Sequence, residues 1–312
     1  MIPNTPRIRS LLPCILMLLV AGLSAPSGNA CAQTPGRHVQ TRFEDRVLNG
    51  WLTEVEERKA TIVMLHGTLA HANMEIMSTL AEVFAEYGFE TLRVSLSLGL
   101  DDRYGMFACD QIQRHGHTDA IAELAAWARW LGNQGRQSFL LLGHSRGTNQ
   151  VARYATAEGQ ISPSGLILVA PSVWDAVGTS DAYAERAGQP LEPLVARATE
   201  LVESDQGDET LDDVAFLHCA QARVTAASFL SYYGTDPGFD TLMLLGRLQL
   251  PVVIFAGSED PLTRGLSPAI DAMNYGERVE FVTIDGADHF FRDLYAYDLV
   301  EAVEAWLTGR QM

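Results

Sequence analysis

Two rhythms alternate along most of the chain. Residues 61–65 (TIVML) are a short, continuously apolar run rich in β-branched side chains, the pattern of a strand buried on both faces. Residues 72–87 carry apolar side chains at helical intervals and stop at Gly88. The alternation continues, with strands predicted at 91–98, 139–142, 166–170, 252–256 and 279–284, and helices at 119–131, 149–157 and 294–307. Thr118 stands where a helix N-cap is expected. An earlier pair of strands is predicted between Val39 and Val55. Such strands separated by helices imply an α/β fold, a mostly parallel central sheet flanked by helices on both faces.

One interval breaks the rhythm. Between Pro171 and Leu250 no run reads as a strand, and helical spacing is found at 190–203 and again at 211–229. Asp205, Asp208, Glu209, Asp212 and Asp213 lie close together there, a run read as a solvated face. The expectation is a helical cap insertion at about 172–250, within a single domain of residues 33–312.

The first residues stand apart. Arg7 and Arg9 make a basic start, 11–23 is apolar but too short to span a bilayer comfortably, and Ala30-Cys31-Ala32 offers small residues at a signal peptidase's spacing. This is the pattern of a signal peptide over 1–32, cleaved after Ala32, and of a secreted or periplasmic protein with no stable membrane insertion afterwards. The competing readings are an uncleaved anchor and a lipoprotein acylated at Cys31. Gly28 sits where a lipoprotein signal has a large aliphatic residue. The formal net charge is −17, and losing Arg7 and Arg9 leaves −19. Such a charge disfavours nucleic acid and anionic membrane as partners. Cys14 and Cys31 fall in the signal, so the mature chain keeps Cys109 and Cys219, a pair expected to form a disulfide in an oxidising compartment.

The sharpest chemical signal is Gly143-His144-Ser145-Arg146-Gly147, placed between a predicted strand and a predicted helix. G-x-S-x-G in that setting is a nucleophile elbow, and the partners that follow one come in the order acid, then histidine. His218 and His289 are the histidines after Ser145. His289 lies just past the last predicted strand, where the base belongs, whereas His218 follows no strand. The acid is expected after 252–256, where Asp260 precedes Pro261 and Glu259 is the fallback. Asp288 reads as a loop-shaping residue. The oxyanion needs two donors, assigned to the backbone N–H groups of Arg146 and Thr68, the latter in the loop His66-Gly67-Thr68-Leu69 after the first core strand. His66 precedes the serine and reads as a brace for that loop.

Together these motifs resemble the α/β-hydrolase family over essentially all of residues 39–307. The resemblance implies a cofactor-free hydrolase with a Ser145-His289-Asp260 triad and an acyl-enzyme, acting on a carboxylic ester or related small-molecule acyl compound. A peptidase or thioesterase of the same fold is the nearest alternative, and a non-catalytic binding protein is the alternative of another class. Thr148 departs from many members, which carry a second glycine there. Serine at the elbow argues against relatives that use Asp or Cys.

The loop between 98 and 118 opens on the side of the triad and carries Arg103, Tyr104, Arg114, His115 and His117. Arg103, Arg114 and His115 are therefore candidate substrate contacts, the arginines suited to a carboxylate. His115-x-His117 lacks a third ligand at sensible spacing, so no metal is expected. Mass spectrometry of the mature protein should read Gln33 as the first residue; an acylated Cys31 or a retained signal segment would overturn the cleavage reading.

Overall fold

Strands with no polar face must be paired along both edges and covered above and below. The computed structural model, which describes residues 36–172 and 174–310, arranges them that way. The signal peptide expected over 1–32 lies outside the described residues. In chain order the strands are β1 (Arg37–Phe43), β2 (Arg46–Thr53), β3 (Ala60–Leu65), β4 (Phe89–Val94), β5 (Ile112–Gln113), β6 (Leu140–His144), β7 (Gly165–Val169), β8 (Thr210–Phe216), β9 (Cys219–Thr225), β10 (Val252–Gly257) and β11 (Val279–Ile284). The α-helices are α1 (Glu75–Glu86), α2 (Asp119–Asn133), α3 (Arg146–Thr156), α4 (Ala176–Ala187), α5 (Glu192–Glu203), α6 (Ala226–Tyr233), α7 (Thr241–Leu245), α8 (Leu266–Met273) and α9 (Leu294–Arg310).

The main sheet has the order β1-β2-β4-β3-β6-β7-β10-β11. The β1–β2 hairpin is antiparallel and β2 pairs antiparallel with β4; the remaining neighbours are parallel. Side chains alternate between the two faces. Val63, Leu141 and Leu168 join Trp127 of α2 and Val151 of α3 in one buried cluster. Ile62, Leu142 and Val169 join Phe84 of α1 and Val303 of α9 in the other. The expected sheet, covered on both faces, is thus observed.

Two local expectations shift. Residues 95–98 leave the sheet, so β4 ends at Val94. Thr118 makes no side-chain capping bond; instead the Asp119 carboxylate accepts the Gly116 N–H at 2.8 Å.

The larger correction concerns the insertion. Residues 211–229 are not one helix. Residues 210–225 form the antiparallel hairpin β8–β9 and 226–229 open α6; β5 adds to the hairpin in parallel, giving a second sheet of order β5-β9-β8. Leu211, Val214, Ala215, Cys219 and Ala222 fall at helical spacing by coincidence. The adjacent Asp212 and Asp213 break the alternation expected of a strand, because the ladder is irregular between Leu211 and Phe216 and Asp213 sits at a φ of 53°. The hairpin turns through Leu217-His218, with Leu217 at a φ of 54°, and so lacks the Asn-Gly signal that marks most tight turns. The acidic residues of 205–213 are exposed.

Cys109, in the loop after β4, is joined by a disulfide to Cys219 at the start of β9. The bond ties the second sheet to a loop that leaves the main one. A disulfide fits an extracellular protein. No helix among the described residues is long and apolar enough to cross a membrane.

Two stability predictions follow from these contacts. The bridge closes a span of 110 residues, so the Cys109→Ala/Cys219→Ala double variant should lose about 2–5 kcal/mol in urea unfolding; an unchanged midpoint would contradict the constraint. The second concerns His66, His115 and His117, lowered by burial to about 3, and His144, lowered by burial to about 4. All four are neutral in the fold and take up protons once unfolded, from pH 6.5 downwards. Each weakens the fold by up to about 1.4 kcal/mol per pH unit as acid is added below that point. Glu123, pushed up by burial to about 7, keeps a proton that the unfolded chain releases above 4.5, and offsets one of them. The urea midpoint should therefore fall steadily from pH 6.5 to 4.5, and a flat profile would show that these rings are not held neutral.

Candidate active site

The end of β6 approaches the start of α3 so closely that only glycine fits on either side of the turn. A Cβ on Gly143 would lie 2.4 Å from the Gly147 carbonyl oxygen, and one on Gly147 would lie 2.6 Å from the His66 carbonyl oxygen. Between them Ser145 takes a φ of 54° and a ψ of −122°, a conformation that costs a non-glycine residue energy. Neighbouring bonds hold it there. The Ser145 N–H donates to the Val169 carbonyl at 2.8 Å, and the Thr148 hydroxyl donates to the Ser145 carbonyl at 2.6 Å. Threonine at 148 thus closes the turn. The Ser145 hydroxyl itself makes no hydrogen bond among the described residues, and the residue lines two cavities.

Asp260 lies beyond the end of β10 and is 3 % exposed. One carboxylate oxygen accepts the Leu262 N–H at 2.9 Å, and the other accepts from His289 Nδ1 at 2.7 Å. That bond fixes the His289 tautomer and leaves Nε2 free. Glu259, the fallback acid, is exposed and has no bond to His289. Asp288 accepts the Phe290 N–H at 2.9 Å and pairs with Arg292. His289 and Ser145 line the same cavity of 220 Å³.

His144 has a role that the sequence reading did not assign. Its Nε2 donates to the His289 carbonyl at 3.0 Å, and its ring lies 5.0 Å from the His289 ring. It therefore holds the backbone of the loop that carries His289. A histidine at the second position of the elbow was the available signal.

Thr68 lies in the loop after β3, and the Gly67 position approaches the Ser145 Cβ within 3.2 Å of where a Cβ would stand. The backbone N–H groups of Thr68 and Arg146 donate no hydrogen bond to any described residue. The two residues are also joined through their side chains, Arg146 Nε donating to Thr68 Oγ1 at 3.0 Å. His66 braces the loop from beneath: its Nδ1 donates to the Gly67 carbonyl at 2.8 Å, and its Nε2 accepts the Leu96 N–H at 3.1 Å.

The three residues expected to contact substrate are placed elsewhere. Arg103 is buried and donates to the carbonyls of Leu96, Ala70 and Gly105, so it locks three loop segments together. Burial lowers its pKa to about 10. Arg114 is exposed. His115 is sealed in, with Nε2 donating to Gln113 Oε1 at 2.9 Å and Nδ1 accepting from the Tyr232 hydroxyl at 2.7 Å, which leaves neither nitrogen for a metal. None of the three lines either cavity beside Ser145. The larger cavity, of 640 Å³, is walled instead by Arg146, His117, Asn149, Trp174, Arg186 and Tyr232, together with His218 from the β8–β9 turn.

Comparison with known proteins gives the geometry its family. A model of the alpha/beta hydrolase family matches residues 62–302. Comparison with curated proteins finds no match. Among solved structures, Est1E from Butyrivibrio proteoclasticus is similar with a TM-score of 0.61 at 18 % identity, over 88 % of this chain and 98 % of that one. A monoacylglycerol lipase from Paleococcus ferrophilus is similar with a TM-score of 0.59 at 17 % identity, over 84 % and 98 %. The esterase domain of a Rhodothermus marinus protein gives 0.57 at 15 % identity, over 87 % and 97 %. Likeness at these identities speaks to fold. The match of the family model over most of the chain speaks to kinship: this protein belongs to the alpha/beta hydrolase family.

Proposed function

We propose that the chain is an exported carboxylic ester hydrolase in which Ser145, His289 and Asp260 form the catalytic triad. One observation carries this reading: the 2.7 Å bond from His289 Nδ1 to a buried Asp260 carboxylate, on a histidine that shares a cavity with a strained serine. A serine hydroxyl is a poor nucleophile until a base takes its proton, and the base must present the correct nitrogen. With Nδ1–H committed to Asp260, His289 presents Nε2. It takes the Ser145 proton as the hydroxyl attacks the ester carbonyl. Asp260 stabilises the imidazolium that results.

The tetrahedral oxyanion then lies within reach of the Thr68 and Arg146 amides, whose N–H groups have no other partner among the described residues. His289 returns its proton to the leaving alcohol, and water, activated by the same base, releases the acid from Ser145. The serine–histidine hydrogen bond closes when substrate fills the site, as such bonds do in related chemistry. His144 is a positioning residue, acting through the His289 backbone. Residues 172–250 serve as the cap and form most of the larger cavity's wall. Export rests on the signal pattern over 1–32 and on the disulfide. Esterases and a lipase among the similar folds favour ester over peptide substrates.

A fluorophosphonate probe should label Ser145, and Ser145→Ala should abolish both labelling and turnover across a panel of esters, thioesters and peptides. Asp260→Asn should lower kcat on the order of 10³–10⁴-fold by releasing the imidazole tautomer, whereas Glu259→Gln should leave it nearly unchanged. An unlabelled Ser145 in folded protein would identify a binding module instead of an enzyme.

A further inference from the structure

Ser145 stands where two unlike cavities meet. The smaller is apolar, with Ala70, Met74, Ile76, Met77 and Phe290 in its wall, and it alone contains His289. The larger holds Arg146 and Arg186. A general acid must stand beside the oxygen that it protonates, so the leaving alcohol belongs on the side of His289. The acyl part then extends into the larger cavity.

Arg146 is unusual among the arginines of this protein. It lies within the fold at the cavity wall, stacked 5.4 Å above the Tyr232 ring, and only its Nε is hydrogen-bonded. Among the described residues its two terminal nitrogens have no hydrogen-bond partner, and Arg146 pairs with no carboxylate. By contrast, buried Arg103 and Arg153 have their terminal nitrogens engaged, Arg103 by carbonyls and Arg153 by Asp236. Asp175 is the sole carboxylate among the described residues of the cavity wall, and both its oxygens accept N–H groups of α4, from Val177 and Gly178. Tyr232, Tyr233 and Arg186 are the charged and titratable groups that act on Arg146, while burial lowers its pKa. A guanidinium with a free planar fork, partly desolvated and facing open space, is a receptor for a planar oxyanion.

Building on the hydrolase reading above, we propose that Arg146, with Arg186 at the exposed rim, binds a carboxylate at the far end of the acyl chain. The substrate class is a short-alcohol monoester of a dicarboxylic acid. An excess of negative charge over the rest of the protein makes the cationic wall distinctive, because nothing else in the chain's balance favours anions.

The test compares three esters: monoethyl adipate, the same ester with its carboxylate replaced by a carboxamide, and the constitutional isomer with the ester reversed, which carries the carboxylate on the alcohol. Wild type should prefer monoethyl adipate over the carboxamide by about tenfold or more in kcat/KM, and Arg146→Met should bring that ratio close to one. The reversed isomer should be at least about tenfold slower, since its carboxylate would have to enter the apolar cavity. Equal rates for the acid and the amide, dependent on Ser145, would overturn this inference and leave the hydrolase reading standing. A faster reversed isomer would overturn the orientation. Titration calorimetry of adipate and its neutral diamide, adipamide, into Ser145→Ala needs no turnover and reads the site directly. Adipate should bind about tenfold more tightly or better. If the two bind equally the anion site does not exist. Tight adipate binding beside a Ser145 that no fluorophosphonate labels would overturn the hydrolase reading alone.

Discussion

A close approach between backbones sets this site: the first turn of α3 rests against the carbonyls at the end of β3, with Gly147 as the point of contact. Any side chain there would push the helix away from the sheet. The contact has consequences in three directions. It forces the turn at Ser145 into the left-handed region. It brings the loop of Gly67 and Thr68 against Ser145. It also points the unpaired amides of α3's first turn toward the space above the sheet, where negative charge is favoured. The nucleophile, the donors and the electrostatics of the proposed reaction all derive from one steric fit.

Much of this was legible in the sequence because the responsible residues act locally. Apolar runs buried on both faces can only be interior strands, so the sheet followed from 61–65, 139–142, 166–170, 252–256 and 279–284. The elbow declared itself through two glycines at fixed distance from a serine. Asp260 and His289 were found from their places after particular strands, which topology brings together although the residues are 29 apart in the chain. The β8–β9 hairpin was not legible, because an irregular ladder and a Leu-His turn erased both signals on which strand recognition depends. Arg103 misled for a related reason: a charged residue in a loop near the site reads as exposed, and only the structure shows that three carbonyls surround it.

The insertion gains its position from long-range bonds of several kinds. The disulfide joins β9 to the loop after β4, β5 pairs with β9, and Ser228 donates to the His115 carbonyl at 2.6 Å. His117 Nε2 donates to Asn149 Oδ1 at 2.7 Å, while the Asn149 amide donates to the carbonyls of Gly238 and Phe239. Thus α3, which begins directly after Ser145, is also the element on which the insertion rests. His115 and His117 are part of this seam, and their neutrality follows from it: a ring that must bridge two elements out of contact with water cannot also hold a charge at modest cost.

Position 146 is where these threads converge. Its backbone belongs to the strained turn, and its N–H is one of the two donors of the proposed oxyanion site. Its side chain enters the larger cavity and donates to Thr68, the residue that supplies the second donor. A ligand that engages the Arg146 guanidinium therefore acts on a group bonded to both donors. Here the anchoring group and the donors share one residue and one hydrogen bond, so binding of the distant carboxylate is coupled to the geometry in which the oxyanion forms. Binding energy from a remote part of the substrate can then appear in kcat as well as in KM, which is the condition under which it aids the chemical step.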